Sequence, residues 1–196
     1  MQEVEVKARV SDFSKLENSL SKLGVTMSEP KEQKDIVYRP IGAGVADIYI
    51  YPNNEELARR AIPVLRIRET AGKVLLTLKK TIKNELDCIE HEVEVSDAKV
   101  LADIIHHAGF LEIIRIRKLR RKGIYKSEKG EYEICLDQVD ELGDFVEVEK
   151  LTDGKDSELV QEELVTFLET LGILRENRVI FGYDTLLLKH RGEIPN

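Results

Sequence analysis

Leu136-Asp137-Gln138-Val139-Asp140-Glu141-Leu142-Gly143-Asp144-Phe145-Val146-Glu147-Val148-Glu149 is the stretch on which the fold turns. Its last residues alternate. Val146 and Val148 take one face of a strand and Glu147 and Glu149 the other, because successive side chains of a strand point to opposite sides. A strand over 131–137 precedes it, with Leu136 opposed to Asp137. The same Glu-x-Glu spelling occurs at Glu3/Glu5 and at Glu92/Glu94, again against valines. Each time a Ser or Asp cap, an amphipathic helix, a glycine and an apolar residue follow. The periodicity predicts these helices over 11–23, 96–108 and 157–171, ending in Gly24-Val25, Gly109-Phe110 and Gly172-Ile173. Such recurrence suggests related supersecondary units within one fold, too few and too unevenly spaced for a solenoid.

Further strands are predicted over 2–10, 33–39, 46–51, 63–70, 73–81, 88–95, 112–126, 144–150 and 178–184. The stretch 40–63, with Gly42, Gly44, Asn53 and Asn54, is the least regular and reads as a loop with a short hairpin or helical turn. Arg66 and Arg68 oppose Leu65 and Ile67, and Thr77 and Lys79 oppose Leu76 and Leu78. Lys118 and Arg120 continue the parity of Ile114 and Ile116, and a bulge there would turn Arg117 or Lys122 inward instead. One face of the strands is therefore charged at nearly every position, with sign segregated by strand.

A solvated sheet face is the ordinary alternative for an antiparallel sheet. That face, however, normally mixes charge with Thr, Ser and Gln. Closing the sheet gives the charge a purpose. Arg and Lys clustered in a dry interior bind a polyanion through charge-assisted hydrogen bonds. Carboxylates on the same lining make sense if they hold a hard divalent cation. The fold class expected is α+β, a closed antiparallel barrel or tunnel with a charged interior and the helices outside.

Composition narrows the function. The chain has 196 residues, of which 42% are hydrophobic and 34% charged, against a usual charged share of about 25%. No linker divides it, so one domain over 1–196 is expected. No stretch approaches the roughly 18 apolar residues of a membrane span, and the first ten residues are charged where a signal peptide needs an apolar run. With 30 Lys+Arg against 37 Asp+Glu, the net charge is −7, the wrong sign for a general nucleic-acid binder. Cys88 and Cys135 make no disulfide scaffold, and they read as small core residues rather than nucleophiles. A cytoplasmic protein with no membrane or nucleic-acid partner is expected.

The order of these motifs resembles the CYTH superfamily, the triphosphate tunnel metalloenzymes. The matching residues begin with Glu3-Val4-Glu5-Val6-Lys7 and Gln33-Lys34-Asp35 with Tyr38. Leu65-Arg66-Ile67-Arg68, Leu76-Thr77-Leu78-Lys79, Glu92-Val93-Glu94 and Lys118-Leu119-Arg120 follow. The stretch 136–149 and Tyr183 with Leu186 and Leu187 complete the set, and 136–149 is most similar to the class IV adenylyl cyclase-like branch. The resemblance covers almost the whole chain. It implies a small-molecule triphosphate bound with Mg²⁺ or Mn²⁺, and it leaves a homodimer open. Glu3, Glu5, Glu147 and Glu149 would hold the metal. Arg66, Arg68, Lys79, Lys118 and Arg120 would clamp phosphates, with Glu92 and Glu94 orienting them or binding a second metal. Lys7 and Asp137 would take catalytic roles.

The chain also departs from the pattern. Lys80-Thr81 stands where Gly-Pro often follows the lysine strand, 40–63 is long, and a His-Phe pair ahead of Glu3 is missing. That last departure favours hydrolysis of the terminal phosphate of inorganic, nucleotide or thiamine triphosphate. Cyclisation of ATP to cyclic AMP and pyrophosphate is the alternative, and a non-catalytic polyphosphate or nucleotide sensor is a third reading.

Overall fold

The computed structural model describes residues 2–60, 62–82, 84–152 and 157–195. In chain order the elements are β1 (Gln2–Arg9), α1 (Phe13–Lys22), β2 (Lys31–Pro40), α2 (Val45–Tyr49), α3 (Asn54–Arg60), β3 (Val64–Thr70), β4 (Lys73–Thr81) and β5 (Asp87–Val95). Then come α4 (Ala98–His107), β6 (Phe110–Ser127), β7 (Gly130–Val139), β8 (Gly143–Thr152), α5 (Ser157–Thr170), β9 (Arg178–Val179) and α6 (Tyr183–His190). No helix among the described residues is long and apolar enough to cross a membrane.

The elements gather into two compact units that interleave along the sequence. One is Met1–Lys31 with Lys118–Ile180; the other is Glu32–Arg117 with Phe181–Asn196. In the first unit the strand order is β6-β7-β8-β1-β9, with β6 contributing its second half, and β6–β7, β7–β8, β8–β1 and β1–β9 pair antiparallel. Val4, Val6 and Ala8 of β1, Ile134 and Leu136 of β7, and Val146 and Val148 of β8 form one apolar core. Leu16 and Leu20 of α1 and Val160, Leu164, Phe167 and Leu168 of α5 complete it. Each large aliphatic side chain buried in this way contributes about 1.5–3 kcal/mol. The second unit has the order β5-β4-β3-β2-β6. Its apolar face carries Tyr38 and Ile67 with Ile36, Leu65, Val74 and Leu76, under Leu101 and Ile105 of α4.

The helix boundaries follow from local chemistry. Asp12 caps α1 by accepting from the amides of Ser14 (2.9 Å) and Lys15 (3.3 Å), and Asp97 caps α4 through Lys99 (2.8 Å) and Val100 (3.0 Å). Gly24, Gly109 and Gly172, predicted as stops, sit at φ of 78°, 87° and 86°. Only glycine takes that left-handed conformation without cost.

Two predicted strands are corrected. Residues 46–51 alternate, but Val45–Tyr49 is helix α2. Val45, Ile48 and Tyr49 also satisfy helical spacing, and the Gly44 amide closes the first turn by donating to Asp47 Oδ2 at 2.7 Å. Residues 178–184 contain only the two-residue strand β9 before α6 begins at Tyr183. That helix start is fixed from elsewhere in the chain, because the Gly182 amide donates to Glu85 Oε2 at 2.8 Å. No short-range signal carries such a cap. In 40–63 the helical-turn alternative holds, as α2 and α3.

Gly123 on β6 is crowded. A Cβ there would lie 2.8 Å from Val25 Cγ1, 2.7 Å from Met27 Sδ and 3.2 Å from the Thr26 carbonyl. Gly123→Ala is expected to cost about 1–3 kcal/mol through overpacking. Gly42→Ala, where nothing lies within 4 Å, is expected to be near neutral. Urea unfolding of the two variants side by side checks this.

Candidate functional site

The face of the first unit opposite its apolar core is charged, and much of it is buried. The antiparallel register sets Glu5 beside Glu149 and Glu149 beside Glu133; Lys7 lies beside Glu147, and Arg120 beside Asp137. Lys7 is 2% exposed and Asp137 is fully buried, so each needs a partner of opposite charge. Lys7 Nζ lies 3.3 Å from Glu5 Oε1 and 3.1 Å from Glu147 Oε1. Asp137 accepts from Lys118 Nζ at 2.8 Å and from Arg120 Nε at 2.6 Å. Arg120 also donates to Glu147, and its Nη1 is 3.6 Å from Glu149 Oε1.

Two glutamates on one strand are thereby driven apart. Burial opposes ionisation of Glu147, but Arg120, Lys7 and Lys118 outweigh it and hold its carboxyl well below the usual range. Burial pushes Glu149 well above that range, and Glu3, Glu147 and Glu5 push with it against Arg120. Glu3, Glu5 and Glu149 each offer a carboxylate oxygen within 4.8 Å of the others. Three such oxygens are a donor set suited to a hard divalent cation. Glu133, Cys135 and Glu149 form an overlapping group. Burial pushes the Cys135 thiol well up, which leaves it a poor nucleophile.

The second unit has its own charged face on β2 to β5. Asp35 receives a two-pronged bond from Arg68, Nε to Oδ1 at 2.7 Å and Nη2 to Oδ2 at 2.6 Å. Lys79 Nζ lies 3.0 Å from Glu90 Oε1, and Arg66 Nη2 lies 3.5 Å from Glu90 and 3.2 Å from the fully buried Thr77 hydroxyl. Thr77 in turn donates to Glu92 at 3.0 Å. Burial works against the Glu90 charge, but Lys79, Arg66 and Arg68 bring its pKa down to about 2.

Most residues singled out in the sequence thus fall into two charged groups. Glu3, Glu5, Lys7, Lys118, Arg120, Asp137, Glu147 and Glu149 lie in one unit. Arg66, Arg68, Lys79 and Glu92 lie in the other. Glu94 stands apart, paired at the surface with Lys73 at 2.6 Å. Glu147 sits among cations rather than with the acidic trio. On β6 the simple register holds: Lys118 and Arg120 are buried, while Arg117 is exposed and paired with Glu32 at 2.6 Å. Sequence reasoning assigned no role to Asp35, Glu90 or Glu133. Glu90 shares the parity of Glu92 and Glu94, and Glu133 shares that of Asp137, so alternation alone marks them.

The CYTH domain profile matches residues 1–183. The chain belongs to the CYTH domain family. A protein of Methanocaldococcus jannaschii named "Putative adenylate cyclase MJ0240" is 32% identical over 186 residues, covering 93% of this chain and 97% of that protein. The PH1819 protein of Pyrococcus horikoshii superposes with a TM-score of 0.74 at 26% identity, over 95% of this chain and 98% of its own. HpAC1 of Hippeastrum, described by a dominant triphosphatase activity, shares the fold at a TM-score of 0.57 and 18% identity, over 99% of this chain and 97% of its own. The fold class expected from the strand alternation, an antiparallel barrel with helices outside and buried charge within, is that of these CYTH-like neighbours.

The split between Glu147 and Glu149 is testable without substrate. With EDTA present, Glu147→Gln should cost about 3–5 kcal/mol, because it leaves Lys7 and Arg120 short of a buried counter-charge. Glu149→Gln mimics the protonated acid and should leave unfolding unchanged or slightly harder. Urea titrations of both variants decide.

Glu90 gives a pH signature. Its lowered pKa means a stabilising contribution that is present above about 4.5 and lost as pH falls toward about 2. Glu90→Gln should flatten the acid limb of a stability-against-pH curve in that window.

Proposed function

We propose that this protein binds the triphosphate of a small molecule and hydrolyses its terminal phosphate with a Mg²⁺ or Mn²⁺ ion at Glu3, Glu5 and Glu149. The observation that carries the reading is one sheet face holding both halves of the chemistry. The acidic trio lies within 4.8 Å, beside the buried cations Lys7, Lys118 and Arg120. Phosphoryl transfer needs charge neutralisation and alignment more than covalent help from the protein. The metal would supply neutralisation of phosphate oxygens.

The chain's own groups do the rest. In the second unit, taken by itself, Arg66, Arg68 and Lys79 offer charged N–H donors suited to phosphate oxygens. Asp35 fixes the plane of the Arg68 guanidinium through its two-pronged bond. Asp137 aligns Lys118 and Arg120 rather than taking a proton, since both hold its carboxylate ionised. Glu147 spaces Lys7 from Arg120. In the reaction, a water oxygen bonds to the terminal phosphorus as the bridging P–O bond breaks, and orthophosphate leaves. The triphosphatase description of HpAC1 supports this direction.

Cyclisation is the second reading, favoured by the name of the M. jannaschii relative. There a ribose hydroxyl attacks the α-phosphorus and pyrophosphate leaves. Phosphorus NMR with tripolyphosphate and ATP, each with Mg²⁺ or Mn²⁺ and with EDTA controls, separates the readings. Metal-dependent orthophosphate is expected. Pyrophosphate with a cyclic nucleotide would establish the cyclase, and resonances that shift without turnover would establish a sensor. Glu5→Gln and Glu149→Gln should abolish turnover, and retained turnover in both removes the metal assignment. Arg66→Ala should raise KM about tenfold, equivalent to about 1.4 kcal/mol of binding.

A further inference from the structure

Arg66 and Arg68 stand two residues apart on β3, and their surroundings differ. Arg68 is locked. Two of its nitrogens meet the two Asp35 oxygens at 2.7 and 2.6 Å. Arg66 is held loosely. Its contacts among the described residues all run through Nη2, at 3.2 Å to the Thr77 hydroxyl, 3.5 Å to Glu90 and 3.9 Å to Glu92. A guanidinium bonded to a carboxylate normally sits at about 2.7–2.9 Å. Arg66 Nε is buried and donates to nothing among the described residues.

Arg66 thus has an unmet donor beside a weakly engaged one. A phosphate group takes a guanidinium side-on, through two parallel N–H bonds. The edge formed by Nε and Nη2 favours such an anion, because a buried unmet donor disfavours the state that contains it. A phosphate on that edge draws on Nη2, the nitrogen that Glu90 also engages, so the two anions compete for one atom. Lys79 repeats the conflict, since its Nζ lies 3.0 Å from the other oxygen of the same carboxylate. Exposure decides which carboxylate can yield. The Glu90 side chain is 19% exposed and can turn to water when displaced. Asp35, at 6%, would be left as a buried unpaired charge.

We propose that Glu90 is a resident competitor for the phosphate: its carboxylate holds Arg66 and Lys79 in the free protein and surrenders them to the ligand. The inference rests on the triphosphate reading above and deepens it. Glu90 then lowers the affinity for every anion that claims these two cations, and by one common factor. Only anions held strongly enough to bear that factor occupy the site. Asp35 has the opposite part, because it stays with Arg68 and presents it. Two carboxylates in one unit, each paired with an arginine, thereby act on affinity in opposite directions.

Calorimetry of inorganic tripolyphosphate and of pyrophosphate, with Ca²⁺ in place of Mg²⁺, tests it. Glu90→Gln should tighten both about tenfold, and by the same factor, because the cost of displacement belongs to the protein and not to the ligand. A bare gain of positive charge behaves differently and favours tripolyphosphate, the more highly charged anion. Glu112→Gln makes the same change in net charge at the surface of the same unit, where Glu112 pairs with Arg115 at 2.7 Å, and should move neither affinity by more than about twofold. Made on an Arg66→Ala background, Glu90→Gln should gain less than on the wild type, since one of the two cations it releases is gone. Glu90→Asp keeps a charge beside Lys79 and draws it back from Arg66. It should tighten both ligands by a smaller factor, which guards against a folding defect in the glutamine variant; thermal unfolding checks that both variants are folded. Weaker binding by Glu90→Gln would make Glu90 a positioning residue and overturn the proposal. Unchanged binding, a gain that grows with ligand charge, or a gain reproduced by Glu112→Gln would overturn it too, and each leaves the triphosphate site standing. If wild-type and Glu90→Gln proteins both bind neither ligand, the triphosphate reading itself fails, and this inference fails with it.

Discussion

Arg120 is buried, and the structure around it is a response to that burial. A guanidinium out of water costs several kcal/mol unless its donors meet acceptors of opposite charge. Asp137 and Glu147 supply them from two neighbouring strands. Asp137 then shares itself with Lys118, and Glu147 with Lys7. The chain of ion pairs ties β6, β7, β8 and β1 together on the side opposite the apolar core that α1 and α5 cover. Stability comes chiefly from the other side, where the valines of β1 and β8 meet α1 and α5. The sheet separates two jobs that one surface cannot do: apolar burial on one face and a fixed array of charges on the other.

On the proposed reading, fixed charges matter because phosphoryl chemistry rewards groups that need no reorganisation. Cations and carboxylates packed at random would collapse into neutral pairs. Strand register prevents this by assigning neighbours. Glu147 falls opposite Lys7, whereas Glu149 falls between Glu5 and Glu133. A spacing of two residues therefore converts chemically identical side chains into one that is held ionised and one that resists ionisation. The second unit repeats the device with different members. Arg68 is locked by Asp35, while Arg66 and Lys79 share Glu90.

How much of this was legible follows from the range of each signal. Period-two alternation is local, so the strands and their charged parity could be read directly, whereas on β6 it left open whether Lys118 and Arg120 or, past a bulge, Arg117 or Lys122 turn inward. The three helices were legible for the same reason, with the glycines that stop them, although Asp12 and Asp97, which fall inside the predicted spans, are the caps of α1 and α4. Pairing was not. Nothing near Glu147 says that it meets Arg120, and nothing near Glu149 says that it meets Glu3, so the four glutamates looked equivalent. The helix at Tyr183 was missed because its cap comes from Glu85. The helix at Val45 was missed because five residues satisfy either period.

The interleaving of the two units has a kinetic consequence. β1 is made first, yet its hydrogen-bonding partner β8 comes late, with Glu5 set against Glu149. The first unit cannot assemble its sheet until most of the second unit's chain has emerged. Non-local strand pairing of this kind slows folding, because loop closure must precede any gain from contacts. During synthesis β1 therefore waits for β8. Its row of Glu3, Glu5 and Lys7, the residues of the proposed site, also keeps that waiting strand charged on one side. Charged edges resist pairing with other chains. The side chains that serve the finished site also guard the unfinished one.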